Sequence, residues 1–219
     1  MAYHGITING VDTLETYGLI LGADLEIPAP QLRESRVTIP GRDGTLNLSY
    51  ALTGEPVYND RVITGSLLKT ESDIDMEQTR IELMTAYQGR TVDVYLPIDP
   101  DHFFRGVLQF AGVSGYNKGI LKWSLEAEPW RLKDSDTVIS KNLTTSEQTF
   151  TIPNEGRPVV PLITVTAETT IIFGGNSYTL ATGDHRVSGI YLLAGNNTLK
   201  AKTTSGTGTM TLTFREGVL

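Results

Sequence analysis

Cysteine is absent from the 219 residues. That excludes disulfide staples, thiolate metal sites and thiol nucleophiles, and it suits assembly in a reducing compartment. Histidine is scarce: His4, His102 and His185 are the three in the chain, and no two stand at metal-ligand spacing. Long apolar runs are missing as well. Leu19 to Leu21, for one, has a glycine on each side, and no run approaches the roughly 20 residues a spanning helix needs. The opening Met-Ala-Tyr-His-Gly lacks the charged-then-apolar pattern of a secretory leader, so the expectation is a soluble chain that is not exported. Basic charge is in deficit, 18 Lys/Arg against 25 Asp/Glu for a net −7. A nucleic-acid binder needs a basic footprint to displace counterions from phosphates, so DNA near this chain is expected to be repelled, not held.

Threonine and glycine are plentiful instead, and charged residues make up only 20%, a composition that favours β-structure with tight turns. The charges and threonines divide the sequence near residue 133. Residues 1–133 carry 12 Lys/Arg and 18 Asp/Glu, a net −6, whereas residues 134–219 carry 6 and 7, a net −1, and hold 18 of the 29 threonines. The reading is therefore two domains, 1–133 and 134–219, in a mainly β chain.

In the first domain, Leu46, Leu48 and Tyr50 alternate with polar residues, as do Leu121, Trp123, Leu125 and Ala127, the period of a half-buried strand. Val37 to Ile39, Val92 to Leu96 and Val107 to Phe110 are shorter candidates. Turn residues separate them at Pro40 to Gly44, Pro97 to Asp101 and Tyr116 to Gly119. One α-helix is predicted, over about residues 73–88. Ser72 or Asp73 caps it, Gly89 closes it, and Met76, Arg80, Ile81, Met84 and Tyr87 form a stripe that packs on a sheet. The second domain reads as about eight short strands in a sandwich. One tight hairpin turns at Gly174-Gly175-Asn176, a second joins Tyr191 to Leu193 with Leu199 to Ala201, and Ser205 to Thr209 is a hairpin turn before Met210.

No constellation reads as an active site. Asp99-Pro100-Asp101-His102 has too few ligands for calcium and reads as a solvated turn. The carboxylate pairs Asp24/Glu26, Asp73/Asp75 and Glu126/Glu128 each share a strand face, as a glycosidase pair would, but nothing predicts the burial that raises a catalytic pKa. No nucleophile elbow or phosphate loop is present. The expectation is a non-enzyme with no cofactor and no metal. If the second domain binds sugar, Tyr178 and Tyr191 are the aromatic candidates.

Several stretches, taken in order, resemble the siphophage distal tail protein family. They are Ile39-Pro40-Gly41-Arg42-Asp43-Gly44-Thr45-Leu46-Asn47-Leu48 after Pro28 and Pro30, and a lone helix ending Tyr87-Gln88-Gly89-Arg90. Then come Pro97-Ile98-Asp99-Pro100-Asp101, Phe103-Phe104-Arg105-Gly106-Val107 and Leu125-Glu126-Ala127-Glu128-Pro129-Trp130. Asn154-Glu155-Gly156-Arg157-Pro158, the turns at Gly189-Ile190-Tyr191 and Ala194 to Asn197, and Phe214 to Leu219 follow. The resemblance implies a ring-forming N-terminal β domain and a C-terminal galectin-like β-sandwich. It implies a tail-tip or baseplate hub, a homo-hexamer that joins the tail tube to a tail-associated tip protein and, in some relatives, carries receptor-binding proteins. DNA would pass through its centre without specific binding. The protein would be a virion component, with no membrane partner, assembled in the bacterial host cytoplasm.

A closed ring of identical subunits uses heterologous interfaces, and exposed strand edges are natural glue. The candidates for the joint are the strand around Ile6 and Ile8, the Val37 to Leu48 hairpin, and Arg33, Arg36, Arg42 and Arg61. The competing reading is a carbohydrate-binding or host-adhesion module built on the C-terminal sandwich.

Overall fold

The computed structural model describes residues 4–49, 54–72, 75–111 and 119–219. Tyr50, Asp73 and the Tyr116 to Lys118 part of a predicted turn lie outside them. The chain divides into two compact units, Met1–Arg131 with Leu219 and Leu132–Val218. It is mainly β, with two helices among the described residues.

The first unit contains β1 (Thr7–Ile8), β2 (Val11–Asp12), α1 (Thr13–Tyr17), β3 (Leu19–Leu21), β4 (Arg36–Thr38) and β5 (Thr45–Asn47). These are followed by β6 (Arg61–Lys69), α2 (Met76–Tyr87), β7 (Arg90–Leu96), β8 (Asp99–Phe110) and β9 (Ile120–Lys133), whose last two residues belong to the second unit. Seven strands form a curled half-barrel in the order β2-β1-β7-β8-β9-β6-β3, and β4 and β5 form a separate two-stranded ribbon. Strand alternation sets the core: Leu121, Trp123, Leu125 and Ala127 of β9 all point inward beside Ile63 and Leu67 of β6, while Lys122 and Glu126 point out. Trp123 lies directly across from Gly65. A Cβ at Gly65 would come within 3.0 Å of the indole, so the missing side chain leaves room for the ring.

The sheet curls until β3 reaches the chain leading into β1, where the Leu21 N–H donates to the His4 carbonyl at 2.8 Å. Thr13 locks this closure. Its buried hydroxyl accepts from the Ile6 N–H at 3.0 Å and donates to the Leu19 carbonyl at 3.1 Å. Thr13→Val keeps the shape but leaves both main-chain groups unpaired in the interior, so it is expected to cost the first unit about 2 kcal/mol. The check is the urea midpoint followed by tryptophan fluorescence.

α1 is an addition to the single helix expected from the sequence. Five residues are too few for a hydrophobic period. The signals are at its ends, where the Asp12 carboxylate accepts from Leu14 and Glu15 N–H groups and Gly18 stops the helix at φ 64°. β1 and β2 meet at Asn9-Gly10, with φ 49° and 84°, the dipeptide a two-residue hairpin prefers. α2 begins later than predicted. Its N-cap is Asp75, which accepts from Glu77 and Gln78 N–H groups at 3.0 and 3.2 Å, in place of Ser72 or Asp73. Its buried positions are Thr79 and Leu83, with Met76, Met84 and Tyr87 packed alongside. Ile81 is 47% exposed, because two residues from Leu83 is over half a turn away.

Asp99 to His102 is not a solvated turn. The turn is the two residues Pro97 and Ile98, and β8 starts at Asp99, opposite Leu96. Asp99 carries two partners there, His102 Nδ1 at 2.9 Å and Arg131 Nη1 at 3.0 Å.

The second unit is a sandwich of two four-stranded sheets, β10-β17-β12-β15 and β11-β16-β13-β14. The strands are β10 (Thr137–Leu143), β11 (Gln148–Asn154), β12 (Leu162–Val165), β13 (Thr169–Phe173), β14 (Asn176–Leu180), β15 (Gly183–His185), β16 (Gly195–Thr203) and β17 (Gly208–Phe214), followed by the short β18 (Gly217–Val218). One core lies between the sheets, with Met210, Leu212 and Phe214 of one against Ile152, Ile171 and Leu199 of the other. The β13–β14 hairpin turns at Gly174 and Gly175, both with positive φ. The other two expected hairpins are absent. Leu192 makes only an isolated bridge to Val159, and β16 pairs with β11 and β13. Asn197 shapes that corner instead, accepting from the Leu193 N–H and donating to its carbonyl, both at 2.9 Å. Residues 204–207 cross from one sheet to the other, because β16 and β17 lie in different sheets.

Candidate assembly surface

The β4–β5 ribbon pairs Arg36 with Asn47 and Thr38 with Thr45, and its loop turns through Gly41 and Gly44 at φ 82° and 73°. Val37 is 44% exposed, and Ile39 and Leu48 are each 38% exposed. The alternation that predicts a half-buried strand from Leu46 and Leu48 therefore forms an arm with little beneath it. Arg33, Arg36 and Arg42 are exposed along it. The Arg36 guanidinium holds both oxygens of Glu34, at 2.9 and 3.1 Å, which lowers the pKa of Glu34 and raises that of Arg36.

Ile6 and Ile8 are fully buried in the core of their own unit, and β1 already has β2 and β7 as neighbours. The exposed edge on that side is β2. Beside it lies an open groove of about 790 Å³ lined in part by His4, Asp12, Glu15, Asp93 and Pro100. Two of its carboxylates have partners: Asp12 caps α1, and Asp93 forms a bidentate pair with Arg105 across β7 and β8, at 2.7 and 2.8 Å.

Arg61 differs from the other three arginines. As the first residue of β6 it has the same parity as Ile63 and Leu67, so it points inward, and it is 6% exposed while Val62 is 53% exposed. Its Nη1 reaches the Pro28 carbonyl at 3.4 Å, and its guanidinium lies 4.8 Å from the centre of the Phe104 ring. Nε and Nη2 have no partner among the described residues. Burial, then the like charge of Arg131, pushes its pKa below the usual guanidinium value. Arg61 and Arg131 face a cavity of about 470 Å³. Sequence reasoning ranked Arg61 with surface arginines and missed Arg131; the parity of Arg61 with Ile63 was the available signal.

The remaining sequence candidates stay apart. Asp24 accepts from the Ser66 hydroxyl at 2.5 Å, Asp75 caps α2, and Glu126 points away from the core. Tyr178 is half-buried against the second core. Its hydroxyl lies where a Cβ of Gly189 would be. Tyr191 is also half-buried. Among the described residues no cluster of His, Asp and Glu could hold a metal ion, and no helix is long and apolar enough to cross a membrane.

The curled antiparallel half-barrel and two-stranded ribbon of the first unit, and the two-sheet sandwich of the second, have a counterpart among solved structures. The chain is similar over nearly its whole length to the crystal structure of the SPP1 Dit (gp 19.1) protein, described as a paradigm of hub adsorption apparatus in Gram-positive-infecting phages. The similarity covers 98% of this chain and 99% of that one, with a TM-score of 0.62 and 16% sequence identity. The shared fold is the one the sequence resemblance implies. No protein-family model matches the chain, and no curated protein matches it.

Proposed function

We propose that this chain is a structural, non-enzymatic hub of a siphophage tail tip. It forms a hexameric ring that joins the tail tube to tail-tip or baseplate proteins and lets DNA through its centre. The reading is carried by the end-to-end fold similarity to SPP1 Dit, and the exposed β4–β5 arm supports it as a free edge through which subunits meet. The half-barrel unit builds the ring, and the second, galectin-like sandwich offers a docking surface for receptor-binding proteins. The chain is then a virion component assembled in the host cytoplasm. An acidic first domain, net −6 over residues 1–133, suits a lumen that does not hold phosphates.

Light scattering coupled to size exclusion tests this, with negative-stain images of any large species. Six times the monomer mass and a ring with a central hole are expected, and Val37→Asp with Leu48→Asp is expected to reduce it to smaller species by placing charge in the joint. A wild-type chain that stays monomeric at high concentration overturns the reading. A ring lumen lined mainly by Lys and Arg overturns the proposed repulsion of DNA.

A further inference from the structure

Each sheet of the second unit ends in two edge strands, β10 and β15 in one and β11 and β14 in the other. An open edge invites pairing with another chain, and three of these four are blunted. β10 places Lys141 on the inward row of Ile139 and Leu143, with its ammonium 5.9 Å from the centre of the Phe150 ring, so a strand added there meets a charge at the rim of the core. β11 contains Pro153, which has no N–H to offer. β15 is three residues long and carries Asp184 and His185. β14, Asn176-Ser177-Tyr178-Thr179-Leu180, has no charge and no proline, and its register with β13 is unbroken. Asn176, Ser177 and Thr179 are exposed along it.

The register determines which main-chain groups of β14 are open. The two-residue turn Gly174-Gly175 makes Phe173 and Asn176 a hydrogen-bonded pair. Such pairs recur at every second position, so Tyr178 and Leu180 also bond to β13. The N–H and C=O groups of Ser177 and Thr179 point away from the sheet. An antiparallel copy of the same strand, centred on Tyr178, sets Ser177 against Thr179 and Thr179 against Ser177. Every open group of both strands is then paired. Sliding the copy by two residues leaves half of them without a partner inside β14. The same register puts serine and threonine hydroxyls side by side on the outer face and brings the two Tyr178 residues together at the rim of the two cores. Charge favours the same surface. Residues 134–219 carry 6 bases and 7 acids against 12 and 18 in residues 1–133, so two copies repel each other least through the second unit.

We infer that β14 is a docking edge for a second copy of this chain, the two strands running antiparallel about Tyr178. The contact is isologous, so it closes at two copies and does not extend into a fibre. A ring uses heterologous contacts; β14 therefore lies outside the ring joint, and the inference does not depend on the ring.

Because the chain has no cysteine, single introduced thiols report the register. The Cα atoms of a hydrogen-bonded antiparallel pair stand about 5.5 Å apart, within disulfide reach, whereas the two Ser177 residues of the pair stand about 8 Å apart, outside it. An equimolar mixture of full-length Ser177→Cys and Thr179→Cys proteins is expected to form the mixed disulfide at least tenfold faster than either protein alone forms its own, read on non-reducing gels. An equal or slower rate overturns the joint. The second measurement needs no thiol. With Val37→Asp and Leu48→Asp in place to remove the ring joint, sedimentation is expected to show a reversible dimer, and adding Thr179→Pro to weaken it at least tenfold in concentration. Proline is tolerated there because the Thr179 N–H faces solvent in the free chain, and the thermal midpoint of the second unit checks this. A chain that stays monomeric, or a dimer that Thr179→Pro leaves intact, overturns the joint. If wild type forms no ring, the ring reading falls, while the mixed disulfide still decides β14.

Discussion

Gly106→Ala is expected to remove about 4 kcal/mol or more from the stability of the first unit, enough to leave little of it folded. Gly106 sits on the inward row of β8 between Phe104 and Leu108, paired with Val92 of β7. A methyl group there would fall on the Glu126 carbonyl oxygen and lie 2.6 Å from the Ala127 Cα. Both obstacles are main chain of β9, the longest strand of the sheet, and they cannot turn aside as a flexible side chain would. Relief requires moving β9, which also carries Leu121, Trp123 and Leu125 of the core. Both tryptophans, Trp123 and Trp130, belong to this unit, so tryptophan fluorescence in urea reads it selectively. A midpoint within experimental error of wild type would show that β9 can shift at no cost.

Glu216→Ala is expected to remove about 3 kcal/mol from the second unit. Glu216 is 5% exposed. Its Oε2 accepts from Thr137 Oγ1 at 2.7 Å and from Lys133 Nζ at 3.1 Å, and its Oε1 accepts from the Glu155 N–H at 3.0 Å. Burial pushes the carboxyl pKa up. The Thr137 and Glu155 donors and the Lys133 ammonium outweigh it and hold the pKa below the ordinary glutamate value. Because the folded-state pKa is the lower one, the contribution is fully present above the unfolded pKa of about 4.3 and is lost as pH falls through the folded value. The gap between wild type and Glu216→Gln should therefore be widest near neutral pH and close as the solution becomes acid. Calorimetry follows this transition, with tryptophan fluorescence as the internal control on the first unit. A gap that stays constant from neutral to acid pH would show that the charge of Glu216 plays no part.

Much of the fold was legible because its signals are local. Period-two alternation put Leu121, Trp123, Leu125 and Ala127 on one face, and they are all buried. Gly174-Gly175 marked a tight hairpin because two consecutive positive φ values suit glycine. Where the local signal was weak or shared, the reading slipped. A glycine-rich run looks the same whether the chain turns back beside itself or crosses to the facing sheet, and Ser205 to Thr209 does the second. An arginine at the start of a strand looks the same inside or out until the parity of its neighbours is counted, which is how Arg61 was grouped with the exposed Arg33, Arg36 and Arg42.

The sequence by itself determined the absence of thiol chemistry, the acidic balance of residues 1–133, the β-rich class and most strand positions. These follow from composition and from backbone preferences that act over a few residues. Only the tertiary structure decided which distant groups meet. Glu216 finds Lys133 and Thr137 about 80 positions back along the chain, Gly106 lies under Glu126, and Arg61 shares a cavity with Arg131. Such meetings depend on strand order and on how far the sheet curls. Both are set by burial summed over a whole core, and no short stretch of sequence encodes that sum.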